Sequence, residues 1–269
     1  MEKTIAFIGG GNMGGAILRA ACRALPPEQV LLFEPDQAKA QALAAETGCA
    51  LAADGPSAVR AAKYVMLCVK PQVLPAVAAG LAPALKDGQA RVVVSIAAGI
   101  QLSDIAAMLD GAEVPLVRVM PNTPAAIGQG VLLVAPGPGL PQADLDGLME
   151  VLAPCGLLLP VTEHELDMGS AVSGCGPAFI YMLIEALADG GVQIGLQRPL
   201  AQRLAAQMVL GSAAMVLESG QHPGALKDAV CSPGGSTIAG VAALEERGFR
   251  SAAAQAVVAA YRRNCELGK

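Results

Sequence analysis

Residues 4–8, Thr-Ile-Ala-Phe-Ile, run straight into Gly9-Gly10-Gly11-Asn12-Met13-Gly14, and a helical pattern follows to about Ala24. A short apolar strand that breaks into glycines and then opens a helix permits few architectures. The glycines let the backbone approach a pyrophosphate, and the helix start offers free N–H groups to an anion. Gly9-x-Gly11-x-x-Gly14 is a weak motif by itself in a chain with 31 glycines. Its context strengthens it: a second strand, 30–33, follows and carries Glu34 at its end, about 20 residues past Gly14. The expectation is a dinucleotide site formed by Gly9, Gly11, Asn12, Met13 and Gly14, with Glu34 at the adenine ribose.

The rest of the first half repeats the same alternation. Residues 36–47 form an alanine-rich helix ended by Gly48, and 64–69 and 91–95 are continuous apolar runs, each followed by a helix-like segment. Such runs are expected of strands buried on both faces of a parallel sheet. Strands at 114–120, 130–135 and 157–161, with a helix at 142–152, extend the series. The fold class is therefore α/β, with a doubly wound Rossmann-type N-terminal domain over 1–162. From Glu163 onward the pattern changes to helices only, at 163–173, 177–193, 199–219, 222–230, 234–246 and 250–267. The uncharged stretch 168–184 is apolar nearly all round, which requires burial on every side. A small domain cannot bury such a helix alone, so 163–269 is read as an all-helical C-terminal dimerisation domain that also binds substrate.

Composition narrows the partners. Apolar residues (54%) are ample for a core, and a formal charge of −5 without long runs of one sign leaves no basic surface for nucleic acid and no polybasic membrane anchor. Three Tyr, four Phe and no Trp give few stacking platforms for bases. Seven scattered cysteines without a C-x-x-C fit reduced thiols in a cytoplasmic protein, and two distant histidines, His164 and His222, argue against a metal site. Residues 119–143 carry no charge, yet five prolines and four glycines there forbid a continuous membrane helix. The run 4–8 is too short for a signal peptide.

Ligands of open α/β sheets lie outside the carboxyl ends of the strands. That places Val69, Lys70 and Pro71, the small residues from Ala97 to Gly99, and Asn122 of Met120-Pro121-Asn122-Thr123-Pro124 around the cofactor. Glu34, with Asp36 beside it, favours NAD over NADP, while Lys39 counters it; an alternative for both acids is helix capping. A second anion site stands apart, in Ser232-Pro233-Gly234-Gly235-Ser236-Thr237, where two glycines and two hydroxyls precede a helix. With the phosphates already served, its guest is read as a substrate carboxylate; the alternative is a glycine cap followed by an N-cap.

Taken in order, Gly9-Gly10-Gly11-Asn12-Met13, Val69-Lys70-Pro71-Gln72, Met120-Pro121-Asn122-Thr123-Pro124, Ser173-Gly174-Cys175-Gly176-Pro177-Ala178, Ala188-Asp189-Gly190-Gly191 and Ser232-Pro233-Gly234-Gly235-Ser236-Thr237 resemble the pyrroline-5-carboxylate reductase family across essentially the whole chain. The resemblance implies reduction of the cyclic imine 1-pyrroline-5-carboxylate to L-proline with NADPH or NADH, the final step of proline biosynthesis. It also implies a homodimer that can assemble into rings of dimers. In that family Gly234, Gly235, Ser236 and Thr237 would hold the substrate carboxylate, Thr237 would also meet the ring nitrogen, and Glu163 would lie near the substrate. Cys175 stands where serine is usual, Cys231 replaces Ser or Thr, Ala229 a polar residue, and Gly55 an asparagine of some NADP-using relatives. Two other readings compete: a 3-hydroxyacid dehydrogenase, which needs a lysine that 168–184 lacks, and a non-catalytic dinucleotide sensor.

Overall fold

The computed structural model describes residues 3–267. The chain divides into two compact units, one comprising the chain up to Cys175 and from Ala260 onward, the other Gly176–Ala259.

In the first unit, β1 (Lys3–Ile8), α1 (Asn12–Ala24), β2 (Val30–Phe33), α2 (Gln37–Thr47) and the two-residue β3 (Ala50–Leu51) form the first half of the sheet. Then come α3 (Gly55–Ala61), β4 (Ala62–Leu67), α4 (Leu74–Leu85), β5 (Val92–Ser95), α5 (Leu102–Met108) and β6 (Leu116–Met120). β7 (Gly130–Pro136), α6 (Gln142–Leu152), β8 (Gly156–Pro160) and α7 (Glu163–Ser173) complete it. The eight strands lie in the order β3-β2-β1-β4-β5-β6-β7-β8. Alternate residues serve opposite faces, which is why the strands read as unbroken apolar runs. Ile5, Phe7, Tyr64 and Met66 pack with Ile17 and Leu18 of α1 and Leu148 of α6. Ala6, Ile8, Val65 and Leu67 pack with Ala58, Leu74 and Ile105 of α3, α4 and α5. β1 pairs with both β2 and β4 in parallel, so strand order reverses direction beside β1, where such sheets bind ligands.

Two elements escape the sequence pattern. β3 and α3 are too short to show a period, and α3 is held by a capping box in which Asp54 accepts from the Ser57 N–H (2.7 Å). The sheet is also mixed rather than wholly parallel: β7 runs antiparallel to β6, and β8 parallel to β7. Residues 121–129 contain only one short 3-10 turn, whereas a parallel return needs a crossover of roughly a dozen residues. A Thr162–Glu165 capping box starts α7 where the strand pattern stops, but α7 stays with the sheet. Its Leu166, fully buried, packs on Leu133 and Ala135 of β7.

The second unit holds α8 (Gly176–Gln193), α9 (Arg198–Ser219), α10 (Pro223–Ala229), α11 (Ser236–Glu246) and the first part of α12 (Phe249–Leu267). α8 and α9 meet closely at Gly191, where a Cβ would stand 3.1 Å from that of Ala201. Ala188 is the one buried residue of α8. Ile180, Tyr181 and Met182 of α8 and Leu204, Met208 and Leu217 of α9 are exposed in the single chain. The stretches 163–193 and Arg198–Ser219 are long and apolar enough to cross a membrane by length and composition. The first is broken by a turn at Gly174-Cys175 and carries Glu163, Glu165 and Asp167.

Candidate active site

The glycine turn after β1 is shaped by contact with β4. Gly9 has φ +103°, and a Cβ on it would lie 2.8 Å from the Cys68 carbonyl oxygen; on Gly14 it would lie 2.6 Å from the Gly9 oxygen. Gly11 differs, because a Cβ there would meet nothing within 4 Å. The outer two glycines thus close the turn and the middle one leaves its mouth open. Gly11 is also the N-cap of α1 and makes no side-chain bond to the first turn, so the leading N–H groups are available to an anion. Asn12 is exposed and Met13 half-buried against the core. Burial pushes the Cys68 thiol beneath the turn well above its ordinary pKa.

A cleft of about 470 Å³ opens from this turn, lined by Gly9, Gly11, Glu34, Lys39, Val69 and Lys70, and it extends past Gly55 and Val77. Glu34 accepts from the Gly10 N–H at 2.7 Å and the Asp36 N–H at 3.1 Å, with Lys39 Nζ 3.9 Å away. Its carboxylate is therefore fixed at the cleft wall before any ligand arrives. Asp36 is engaged otherwise: it caps α2 by accepting from the Lys39 N–H. Gly55 begins α3, and a Cβ on it would come within 2.8 Å of Leu81 Cδ2. The Gly11 opening, the bare α1 start, fixed Glu34 and two lysines fit a dinucleotide: anionic pyrophosphate at the helix, ribose at the carboxylate.

The other strand ends have distinct tasks. Lys70 is exposed, and its carbonyl accepts the Val73 and Leu74 N–H groups that start α4, with Pro71 between. Ala97 is buried, its N–H donating to Ser95 Oγ at 3.2 Å. Asn122 is nearly buried and ties two elements: its Nδ2 donates to the Ser173 carbonyl and its Oδ1 accepts from the Val131 N–H, both at 2.9 Å. It is not among the residues lining the cleft.

Arg118 escaped the sequence reading although a signal was present. A single charge inside the apolar run 114–120 must find partners if that strand is buried. Its side chain is 2% exposed; Nη1 lies 2.8 Å from Glu163 Oε1 and Nη2 2.8 Å from Asp167 Oδ1. Glu163 Oε1 also accepts from the Leu102 N–H at 2.7 Å, and Asp167 Oδ2 from Gln101 Nε2 at 3.0 Å. Glu163, expected beside the substrate, is thus held by Arg118 and the start of α5. A second cavity, about 270 Å³, adjoins this network and is lined by Ala98, Gly99, Gln101, Met120, Asp167 and Asn264, among others.

The 232–237 turn belongs to the helical unit. Gly234 has φ +68°, and Gly235 is the N-cap of α11 without a side-chain bond to the first turn. The Gly235 N–H donates to the Ser232 carbonyl at 3.0 Å, closing the turn. Ser236 and Thr237 are exposed on the first turn of α11.

A family model described as NADP oxidoreductase, coenzyme F420-dependent, matches residues 4–99, and one described as pyrroline-5-carboxylate reductase dimerisation matches residues 163–267. The pyrroline-5-carboxylate reductase of Synechocystis is 42% identical and that of Escherichia coli 39%, each over the full length of both chains. A crystal structure of the Plasmodium falciparum pyrroline carboxylate reductase with NADP bound superposes at a TM-score of 0.89, and a Coxiella burnetii pyrroline-5-carboxylate reductase at 0.91. Both are 30% identical and match over all of both chains. Fold and cleft define an oxidoreductase that uses a nicotinamide dinucleotide, NADPH or NADH. More narrowly, the chain belongs to the pyrroline-5-carboxylate reductase family.

Proposed function

We propose that this chain reduces 1-pyrroline-5-carboxylate to L-proline, the final step of proline biosynthesis, as a cytoplasmic homodimer that can build rings of dimers. The carrying observation is the bare, glycine-capped start of α11 at 234–237, which stands in the helical unit apart from the glycine-capped start of α1 that we assign to the phosphates. Gly234, Gly235, Ser236 and Thr237 hold the substrate carboxylate, and the Thr237 hydroxyl, the catalytic group, also meets the ring nitrogen. On the cofactor side we assign Gly9, Gly11, Asn12, Met13, Gly14, Glu34, Val69, Lys70 and Pro71, with Ala97 at the nicotinamide end. Asn122 supports that end by joining β6, β7 and α7. Glu163 enters through its bonds to Arg118 and Leu102.

When bound, the nicotinamide supplies the hydride. A cyclic imine is basic enough to enter protonated, so the incoming hydride neutralises a positive charge and no strong general acid is required. The turn and α11 contain no Lys, His or Tyr, which suits this chemistry. Orientation then dominates, with the carboxylate anchor setting the position of the imine carbon. The 3-hydroxyacid dehydrogenase reading wants a lysine, and neither α7 nor α8 contains one.

Oxidation of NADPH or NADH on addition of pyrroline-5-carboxylate tests the reaction. Reaction with a 3-hydroxyacid and none with the imine would overturn it, and turnover of neither would favour the sensor. The exposed apolar residues of α8 and α9 support the dimer, which requires a solution mass of at least twice 27.0 kDa.

A further inference from the structure

We propose that Arg118 is a positioning residue for the nicotinamide half of the cofactor, acting through Glu163 and Asp167 on the turn 97–102. This rests on the reading above that the nicotinamide lies against the carboxyl end of β5.

The register pairs Arg118 of β6 with Ser95, the last residue of β5, so the guanidinium lies beside the point where the chain leaves the sheet. Ser95 Oγ takes the Ala97 N–H, shaping the first step of that exit. The two carboxylates gripped by Arg118 reach the far end of the same turn: Glu163 takes the Leu102 N–H and Asp167 the Gln101 amide. Gln101 is also the N-cap of α5, its N–H donating to Asp104 Oδ2 at 3.2 Å. Residues 97–102 are therefore tied at both ends, and the end tie depends on one buried cation. Ala98, Gly99, Gln101 and Asp167 all border the 270 Å³ cavity, so slack in this network changes the shape of its wall.

A buried guanidinium with two carboxylates suits the task, because its fork holds both in fixed directions. Neither carboxylate is replaceable by the other: Glu163 serves α5 and Asp167 the Gln101 side chain. The adenosine end of the cleft, at Glu34, Lys39 and Gly55, shares no hydrogen bond with this network.

The test separates the two halves of the cofactor. Dissociation constants for NADPH and 2′-phospho-ADP-ribose, and for NADH and ADP-ribose, are measured by calorimetry on the full chain and on R118M, R118K, E163Q and Q101A, with melting curves alongside. For R118M and E163Q we expect the intact dinucleotide to bind about tenfold more weakly, with the fragments lacking nicotinamide within about twofold of wild type. R118K should fall between, since an ammonium cannot fork to both carboxylates. Q101A removes one bond without leaving a buried charge, and it carries the test if R118M does not fold. Equal weakening of dinucleotide and fragment, tracking the loss of melting temperature, would reduce Arg118 to a purely structural role and overturn the proposal. Unchanged binding of both would do the same. A wild-type chain that binds the fragments but gains nothing from the nicotinamide would instead remove the reading on which the proposal rests.

Discussion

Two glycine helix starts, Gly11 before α1 and Gly235 before α11, are held in shape by different forces. Neither N-cap makes a side-chain bond to its helix, so both leave first-turn N–H groups for an anion. Around the first, packing decides: Gly9 and Gly14 are pressed against the Cys68 carbonyl, the Cys68 side chain and each other. Around the second, the turn is shaped from within: Gly234 sits at φ +68° with open space where its Cβ would be, and a Cβ on Gly235 would meet Ser232 of the same turn. A turn pressed into a core ties ligand binding to stability. A turn exposed on a helical unit, where we propose that the substrate carboxylate binds, lets contacts change while the fold stays intact.

That contrast can be broken by substitution. Gly14→Ala should have the largest effect, because its Cβ would lie 2.6 Å from a backbone oxygen that cannot move away cheaply. We expect a loss of about 1–3 kcal/mol in denaturant unfolding, together with loss of dinucleotide binding by calorimetry. Thr237→Ala should instead leave the melting temperature unchanged and lower turnover or substrate affinity at least tenfold, about 1.4 kcal/mol; unchanged kinetics would remove Thr237 from the mechanism. Gly234→Ala should cost about 1 kcal/mol of stability through left-handed backbone strain alone. A cost as large as that of Gly14→Ala would show that the second turn is packed after all.

Acid gives the mildest test. Arg91, almost fully buried, forms an ion pair with Asp87 in the sheet-bearing unit and also donates from Nε to the Val59 carbonyl at 2.8 Å. Its hydrogen bonds hold the Asp87 carboxyl down from 3.8 to about 2. Because the folded value is depressed, the contribution is complete above pH 3.8 and is lost as pH falls through about 2. Asp87→Asn should flatten that part of the stability–pH curve, followed by circular dichroism. An unaltered acid limb would place the acid sensitivity elsewhere.

Much of this was legible in the residues. Buried parallel strands such as β4 and β5 have no polar face, so they appear as apolar runs. Caps and glycines mark α1, α2 and α7 with little help from the rest of the molecule. β3 and α3 were not legible because two and seven residues show no period. The reversal of β7 could be argued only from a connection too short for a crossover. At the site, Glu34 and the glycine turn sit where spacing placed them, since a strand–turn–helix unit is local. Asn122 was placed by the strand-end motif 120–124 and Glu163 by the family resemblance, yet their partners, Ser173 and Arg118, lie far along the chain.

The chain's order of residues thus determined its class: a strand–glycine–helix start, alternating apolar runs, then helices alone, with motifs that place it in its family. Tertiary structure decided the pairings. Register set Arg118 beside Ser95, the packing of Leu166 on β7 brought Glu163 and Asp167 to that guanidinium, and both carboxylates then reached the end of the 97–102 turn. Periodicity is a property of neighbours in sequence, whereas a buried charge is satisfied by whatever side chain the fold delivers to it.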